Sequence, residues 1–178
     1  MPFQGRPRVE QQLDGRWALL APLLYHGSRE SWTVPAGFCS DFASVPAAAR
    51  WLIPADGPWT AAAIAHDWFC DVGIRAGRIT SRDADGLFRR MMRELDVPFP
   101  RRWVMWAGVR WGALINPVRR PGVWADLPLA LLISLLVAPL VLPVSLVVAA
   151  ALAVDVLIDR LVRTVSHLVR HHRQEPRP

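Results

Sequence analysis

The 178-residue chain contains no lysine; all 21 of its basic residues are arginine. Arginine-only usage points first to a GC-rich genome and only then to a binding role. A net charge of +6 permits contact with nucleic acid or anionic lipid. The arginines are dispersed over the first 120 residues, however, and no aromatic-basic motif of a nucleic-acid reader appears. Nucleic acid is therefore not an expected partner. Cysteine is also scarce. Cys39 and Cys70 are too few for a disulfide scaffold and wrongly spaced for a zinc knuckle. They predict two buried thiols, or one disulfide if the domain faces an oxidising compartment. The opening stretch, MPFQGRPRVEQQLDGRW, lacks the apolar core of a secretory signal. No internal repeat is visible.

Late in the chain the missing feature is charge. Leu127 to Val154, LPLALLISLLVAPLVLPVSLVVAAALAV, is 28 residues without a charged side chain. A bilayer-crossing helix needs about 20 apolar residues, so the segment predicts membrane association. Pro139 and Pro143 would kink one span or break it into a re-entrant hairpin. The kinked span is favoured, because each half alone is too short to cross. Arg110, Arg119 and Arg120 precede the segment, and Arg160, Arg163, Arg170, Arg173 and Arg177 follow it. That asymmetry favours a cytoplasmic C-terminus with the N-terminal domain outside. The stretch DVLIDRLVRTVSHLVRHHR is amphipathic, with Val156, Leu157, Leu161, Val165, Leu168 and Val169 at helical spacing. Such a basic helix lies on a membrane surface or pairs with another helix. Its His167, His171 and His172 read as a solvated tail. Trp103, Trp106 and Trp124 predict an interfacial belt.

These shifts divide the chain into a globular domain at 1–117, a linker at 118–126, an apolar segment at 127–154 and a basic amphipathic tail at 155–178. The globular part reads as α+β, a small N-terminal β-hairpin followed by a three-helix α domain. RWALLAPLLYH and ESWTVPAGF flank Gly27-Ser28 as the two hairpin strands. Gly57-Pro58 opens the first helix, whose apolar stripe is Ala61, Ile64, Ala65, Trp68 and Val72. The second starts at Thr80-Ser81 with Asp83 in a capping box, and its stripe is Ala84, Leu87, Phe88, Met91 and Leu95. The third spans about Arg101 to Ile115 and buries Val104, Ala107, Gly108, Trp111 and Ile115.

One stretch, AAAIAHDWFCDVG, places a His-Asp pair inside an apolar run. Ionisable groups buried in a helix must be paired, hydrogen-bonded or metal-bound. At about 100° per residue His66 points away from the main stripe, among Ala62, Ala63 and Cys70. Asp67 diverges from it, so the two border one pocket without sharing an atom. An antiparallel second helix could bring Asp83 or Asp85 to His66, fixing its tautomer and raising its basicity for action on water. Upstream, GFCSDFASVP offers Gly37, Asp41 and Ser44 in a loop suited to a hard cation such as calcium. Asp41 and Ser44 could equally cap a helix starting near Pro46. Asp83 suits a cap better than a catalyst.

VPAGFCSDFASVP, AAAIAHDWFCDVG, ITSRDADGLFRRMM and the WAGVRWGA helix resemble, in that order, the phage- and prophage-associated domain of unknown function thirteen-fifty-three. The resemblance covers about Arg16 to Asn116 and rests on Asp41, Ser44, Val45, Pro46, His66, Asp67, Arg82, Ala84 and Asp85. It favours Asp85 over Asp83 as the carboxylate facing His66, and it implies no particular reaction. More locally, the His-Asp helix resembles that of secreted phospholipase A2, although this chain lacks that family's glycine-dense loop and most of its cysteines. That likeness implies His66 as general base, Asp85 as its partner, Asp67 as a calcium ligand and Asp41 in or near the calcium loop.

Three functions compete. The first is a membrane-associated hydrolase of lipid or envelope esters, with His66 and Asp85 catalytic, and Asp41 and Asp67 on calcium. The second is a non-catalytic phage assembly, tail or lysis accessory protein, with phage structural proteins as partners. The third is a His-Asp phosphohydrolase in which His26 supplies a further ligand.

Overall fold

The computed structural model describes residues 2–28, 30–43 and 45–174, with the side chains of the last helix described as far as Ser166. Five short strands open the chain: Val9–Gln11 (β1), Trp17–Leu19 (β2), Leu23–His26 (β3), Ser31–Val34 (β4) and Cys39–Ser40 (β5). β3 and β4 form the expected hairpin, in register from Leu23 opposite Val34 to His26 opposite Ser31. Leu23, Tyr25 and Val34 point into the core. The first half of RWALLAPLLYH does not extend that hairpin. β2 instead pairs antiparallel with β1 and β5 in a separate three-stranded sheet. Pro22 explains the split, because it has no N–H to give a continuous ladder and the chain bends just before it.

Four helices follow: Thr60–Trp68 (α1), Ser81–Glu94 (α2), Phe99–Ile115 (α3) and Leu127–Gln174 (α4). The chain is therefore α+β, with helices packed on small antiparallel sheets. α1 is the central helix: every residue from Ala61 to His66 is buried, as expected for a helix apolar on all sides. Its last turn widens into a π-turn over Phe69–Gly73. The extra residue per turn shifts the helical phase, and Val72, expected on the buried stripe, is exposed. α2 starts as its capping signal predicts. Asp83 donates its backbone N–H to the Thr80 hydroxyl at 3.1 Å, and that hydroxyl donates to the Asp83 carboxylate at 2.6 Å. Ala84, Leu87, Phe88 and Met91 are buried as the periodicity requires, and Leu95 packs at their edge.

α3 and α4 depart from expectation. On α3 the buried residues are Met105, Trp106, Ala107, Arg110 and Ala113, while Gly108, Trp111 and Ile115 are exposed. Arg110 sets this rotation, because its guanidinium reaches inward to α2. Trp106 is 5% exposed and packs with Ala107 and Ala130, so it serves the α3–α4 contact and not a belt. Trp124 remains exposed. Near Pro46 the chain makes only one 3-10 turn, Ala47–Ala49, whose N-cap carries no side-chain hydrogen bond. α4 is one continuous helix with Pro139 and Pro143 inside it, so the re-entrant alternative does not form. Trp111 donates to Ser134 at 2.9 Å and Trp51 to Ser145 at 3.2 Å, tying α4 to the domain. Every residue from Ala149 to Val165 is exposed. By length and composition, Leu127–Ser166 is long and apolar enough to cross a membrane.

Candidate functional site

α1 and α2 lie side by side, and His66 Nε2 is 2.6 Å from Asp85 Oδ1. Both groups are buried, and the imidazole lies 4.7 Å from the Phe88 ring. Asp85 is fully enclosed and also receives two arginines. Arg110 Nη1 from α3 lies 2.5 Å from Oδ2, and Arg119 Nη2 from the α3–α4 connection lies 2.7 Å from Oδ1. One carboxylate thus joins three helices and a connecting loop. Arg110 also donates to the carbonyl of Gly122, and Arg119 to that of Val109. A buried carboxylate with this many donors is held ionised. Burial alone would raise the Asp85 pKa, but the hydrogen bond and charge of His66, with the charge of Arg119, hold it below the usual carboxylate value.

An ionised carboxylate only accepts, so Nε2–H is the donor and Nδ1 is the second titrating nitrogen. Cys70 follows one turn later, with its Sγ 3.6 Å from Nε2 and 3.9 Å from Nδ1. Burial opposes a charge on the ring, but Cys70 and then Asp85 outweigh it, and the His66 pKa is lifted to about 10. Asp67 turns away, as its position requires, towards β5. The Ser40 hydroxyl donates to Asp67 Oδ2 and accepts the Phe42 N–H at 2.9 Å. Burial raises the Asp67 pKa to about 7 against the hydrogen bond from Ser40 and the charge of His66, with Asp41 and Asp71 adding to the rise. Phe42 takes a left-handed φ of 66° in this loop, a conformation that costs a non-glycine residue on the order of 1 kcal/mol or more.

His66, Asp67, Asp41, Cys39 and Cys70 line one open cavity of about 1070 Å³, with Trp111 and Ile115 also in its wall. Among the sequence candidates, His66 and Asp85 therefore meet, while Asp41 and Asp67 border the same cavity. Ser44 lies outside the described residues, as do the side chains of His167, His171 and His172. Asp83 is occupied at the α2 N-terminus, as its capping role predicted. His26 is exposed at the end of β3 and contacts Ser31, so it supplies nothing to this cavity. The cysteines are unpaired.

The family described as protein of unknown function (DUF1353) matches residues 17–109, just over half of the chain. The chain belongs to this family. Comparisons with curated proteins and with solved structures return no match. The DUF1353 region includes Asp41, His66, Asp67 and Asp85 and stops one residue short of Arg110. The two arginines on Asp85, and all of α4, lie beyond it.

Arg110 and Arg119 correct an expectation, since both were counted among charges flanking the apolar segment and both are instead consumed by Asp85. Arg120 remains exposed before α4. A signal for Arg110 was present: it sits three residues after Ala107 and three before Ala113, the spacing of a buried helical face. Ser40 and Arg119 carried no comparable signal. Among the described residues, no three His, Cys, Asp or Glu side chains converge closely enough to hold a metal ion, and Asp67 is engaged by Ser40.

Proposed function

We propose that this DUF1353 protein is a membrane-associated hydrolase of lipid or envelope esters. The carrying observation is that His66, with Asp85 2.6 Å behind it, and Asp67 border the same open cavity. The pKa of one is pushed up to about 10 and that of the other to about 7, and such a separation suits an acid and a base acting together. In this scheme water attacks the ester carbonyl while Asp67, oriented by Ser40, takes its proton. The His66 imidazolium, held in place by Asp85, gives a proton to the departing alkoxide. Acid and alcohol leave, and proton exchange with solvent resets both groups. Arg110 and Arg119 keep Asp85 anionic, so the proton stays on the ring. Trp111 lines the cavity and is bonded to Ser134 of α4, which supports an apolar ester arriving from the membrane side.

The test uses the detergent-solubilised full chain with 4-nitrophenyl acyl esters and phospholipid micelles. Wild-type protein is expected to hydrolyse one of these classes, and His66→Gln to lose at least about a hundredfold while still folding. Absence of hydrolysis by the wild type, or an unchanged rate in His66→Gln, would overturn the proposal. One observation favours a second reading, a non-catalytic phage assembly, tail or lysis component. Asp85 is bonded by Arg110 and Arg119 as well as by His66, the arrangement of a structural node. On that reading Asp85→Ala lowers stability by about 3–5 kcal/mol by stranding Arg110, and no variant at His66 changes any hydrolytic rate.

A further inference from the structure

The outward face of α2 carries a second concavity that shares no residue with the His66 cavity. It has a volume of about 820 Å³, and its walls hold six arginines, Arg78, Arg82, Arg89, Arg90, Arg93 and Arg102. Only two carboxylates, Glu30 and Asp83, line it with them. Glu30 is taken by Arg90 at 2.7 Å, and Asp83 by Thr80. Among the described residues, Arg78, Arg93 and Arg102 form no ion pair. Burial and the neighbouring Arg93 hold the Arg89 guanidinium below the ordinary arginine value, with Arg102 adding to the effect. Arg89 Cζ lies over Trp103, 3.9 Å from its ring centroid, a cation on an aromatic face. The concavity is thus a site of concentrated positive charge that the protein itself leaves partly uncompensated.

Its position indicates what would compensate it. Arg82 pairs at 3.1 Å with Asp126, the residue immediately before α4. Trp103 packs on the cluster formed by Trp106 and Ala130, with Ile133 of α4 alongside. The charge therefore gathers beside the amino end of the apolar helix, whose Leu129, Leu131 and Leu132 are exposed. Guanidinium forks match phosphate oxygens two at a time, and their weak hydration lets them work beside aromatic rings.

We propose that this cleft seats the phosphate headgroup of an anionic phospholipid whose acyl chains lie against α4. The proposal rests on the membrane association of α4 and is independent of any hydrolysis at His66. Arg78, Arg93 and Arg102 supply the free charge, while Arg89 on Trp103 forms the floor. A nucleic acid would need the same charge, but it gives no reason for the cleft to adjoin an apolar helix.

The experiment titrates the detergent-solubilised full chain with dihexanoyl phosphatidylglycerol, dihexanoyl phosphatidylcholine, inorganic phosphate and a single-stranded oligonucleotide. Phosphatidylglycerol is expected to bind roughly tenfold or more tighter than phosphatidylcholine or inorganic phosphate. Replacing Arg78, Arg93 and Arg102 together by Gln is expected to abolish that preference without changing the melting temperature, since among the described residues none of the three forms an ion pair. If the triple variant melts early, the single Arg93→Gln variant is read instead and is expected to weaken phosphatidylglycerol alone. Equal affinity for the two lipids, or a preference that survives the substitutions, overturns the proposal. Tighter binding of the oligonucleotide reassigns the cleft to nucleic acid, and equal binding of inorganic phosphate reassigns it to a small anion. Because the lipids are soluble, these results are read separately from whether α4 enters a bilayer.

Discussion

Asp67 comes directly after His66, and the raised pKa of each makes stability fall as pH rises, in two different windows. The Asp67 carboxyl keeps its proton to about 7 in the folded chain, against an ordinary value of 3.8. Below about pH 4 both folded and unfolded chains hold that proton. Between about 4 and 7 the unfolded chain releases it while the folded chain retains it, so stability falls as pH rises through that window. Asp67→Asn removes the charge and keeps an acceptor for Ser40. In chemical denaturation between pH 4 and pH 8, wild type is expected to lose on the order of 1–3 kcal/mol more than this variant. Equal slopes would show that Asp67 ionises normally. The stretch AHDWFC announced both residues, because a His-Asp pair in an apolar helix demands partners. The identity of those partners was only half legible. Asp85 was reachable from helical phase, but Ser40 arrives from a two-residue strand whose pairing depends on distant chain.

At the level of elements, capping chemistry and periodicity were the dependable signals. Thr80 and Asp83 marked the start of α2, and the structure places both where that signal requires. Thr80→Ala removes the acceptor for the Asp83 N–H and is expected to reduce stability by about 1 kcal/mol. Thermal unfolding measures it directly; no change would mean that the α2 N-terminus is held by Arg82 and Asp126 instead. The hairpin was legible because β3 and β4 alternate, while β1 and β5 are too short to leave a pattern. The rotation of α3 was misjudged for a physical reason. Trp111 and Ile115 look like core by hydropathy, but they line the open cavity beside α4, and the buried position goes to a charged Arg110 whose charge is met by Asp85. Burial here obeys electrostatic pairing, which periodicity of apolar residues does not report.

The whole molecule combines a compact α+β domain with a helix of 48 residues, of which Ala149 to Val165 are exposed throughout. The apolar surface that this exposed stretch presents calls for a non-aqueous surrounding. The intact chain is expected to stay in the membrane pellet after a sodium carbonate wash and to enter solution only with detergent. Recovery in the carbonate supernatant would contradict this. The prolines that suggested a broken segment sit inside one helix, so the divide between apolar segment and basic tail is a change of composition and not of structure. Arg110 and Arg119 link this scale to the smallest one, because they fasten α3 and the approach to α4 onto the carboxylate that holds His66.

The claim on which the rest depends is that Asp85 keeps a proton on His66 beside an open cavity. The direct measurement is the pH titration of the His66 ring nitrogens by NMR in the detergent-solubilised full chain, assigned by comparison with His66→Gln. The account predicts an imidazolium that persists through pH 8 and releases its proton only above pH 9, near the value of about 10 set by Cys70 and Asp85. A ring that titrates below pH 7 like a free imidazole would contradict it.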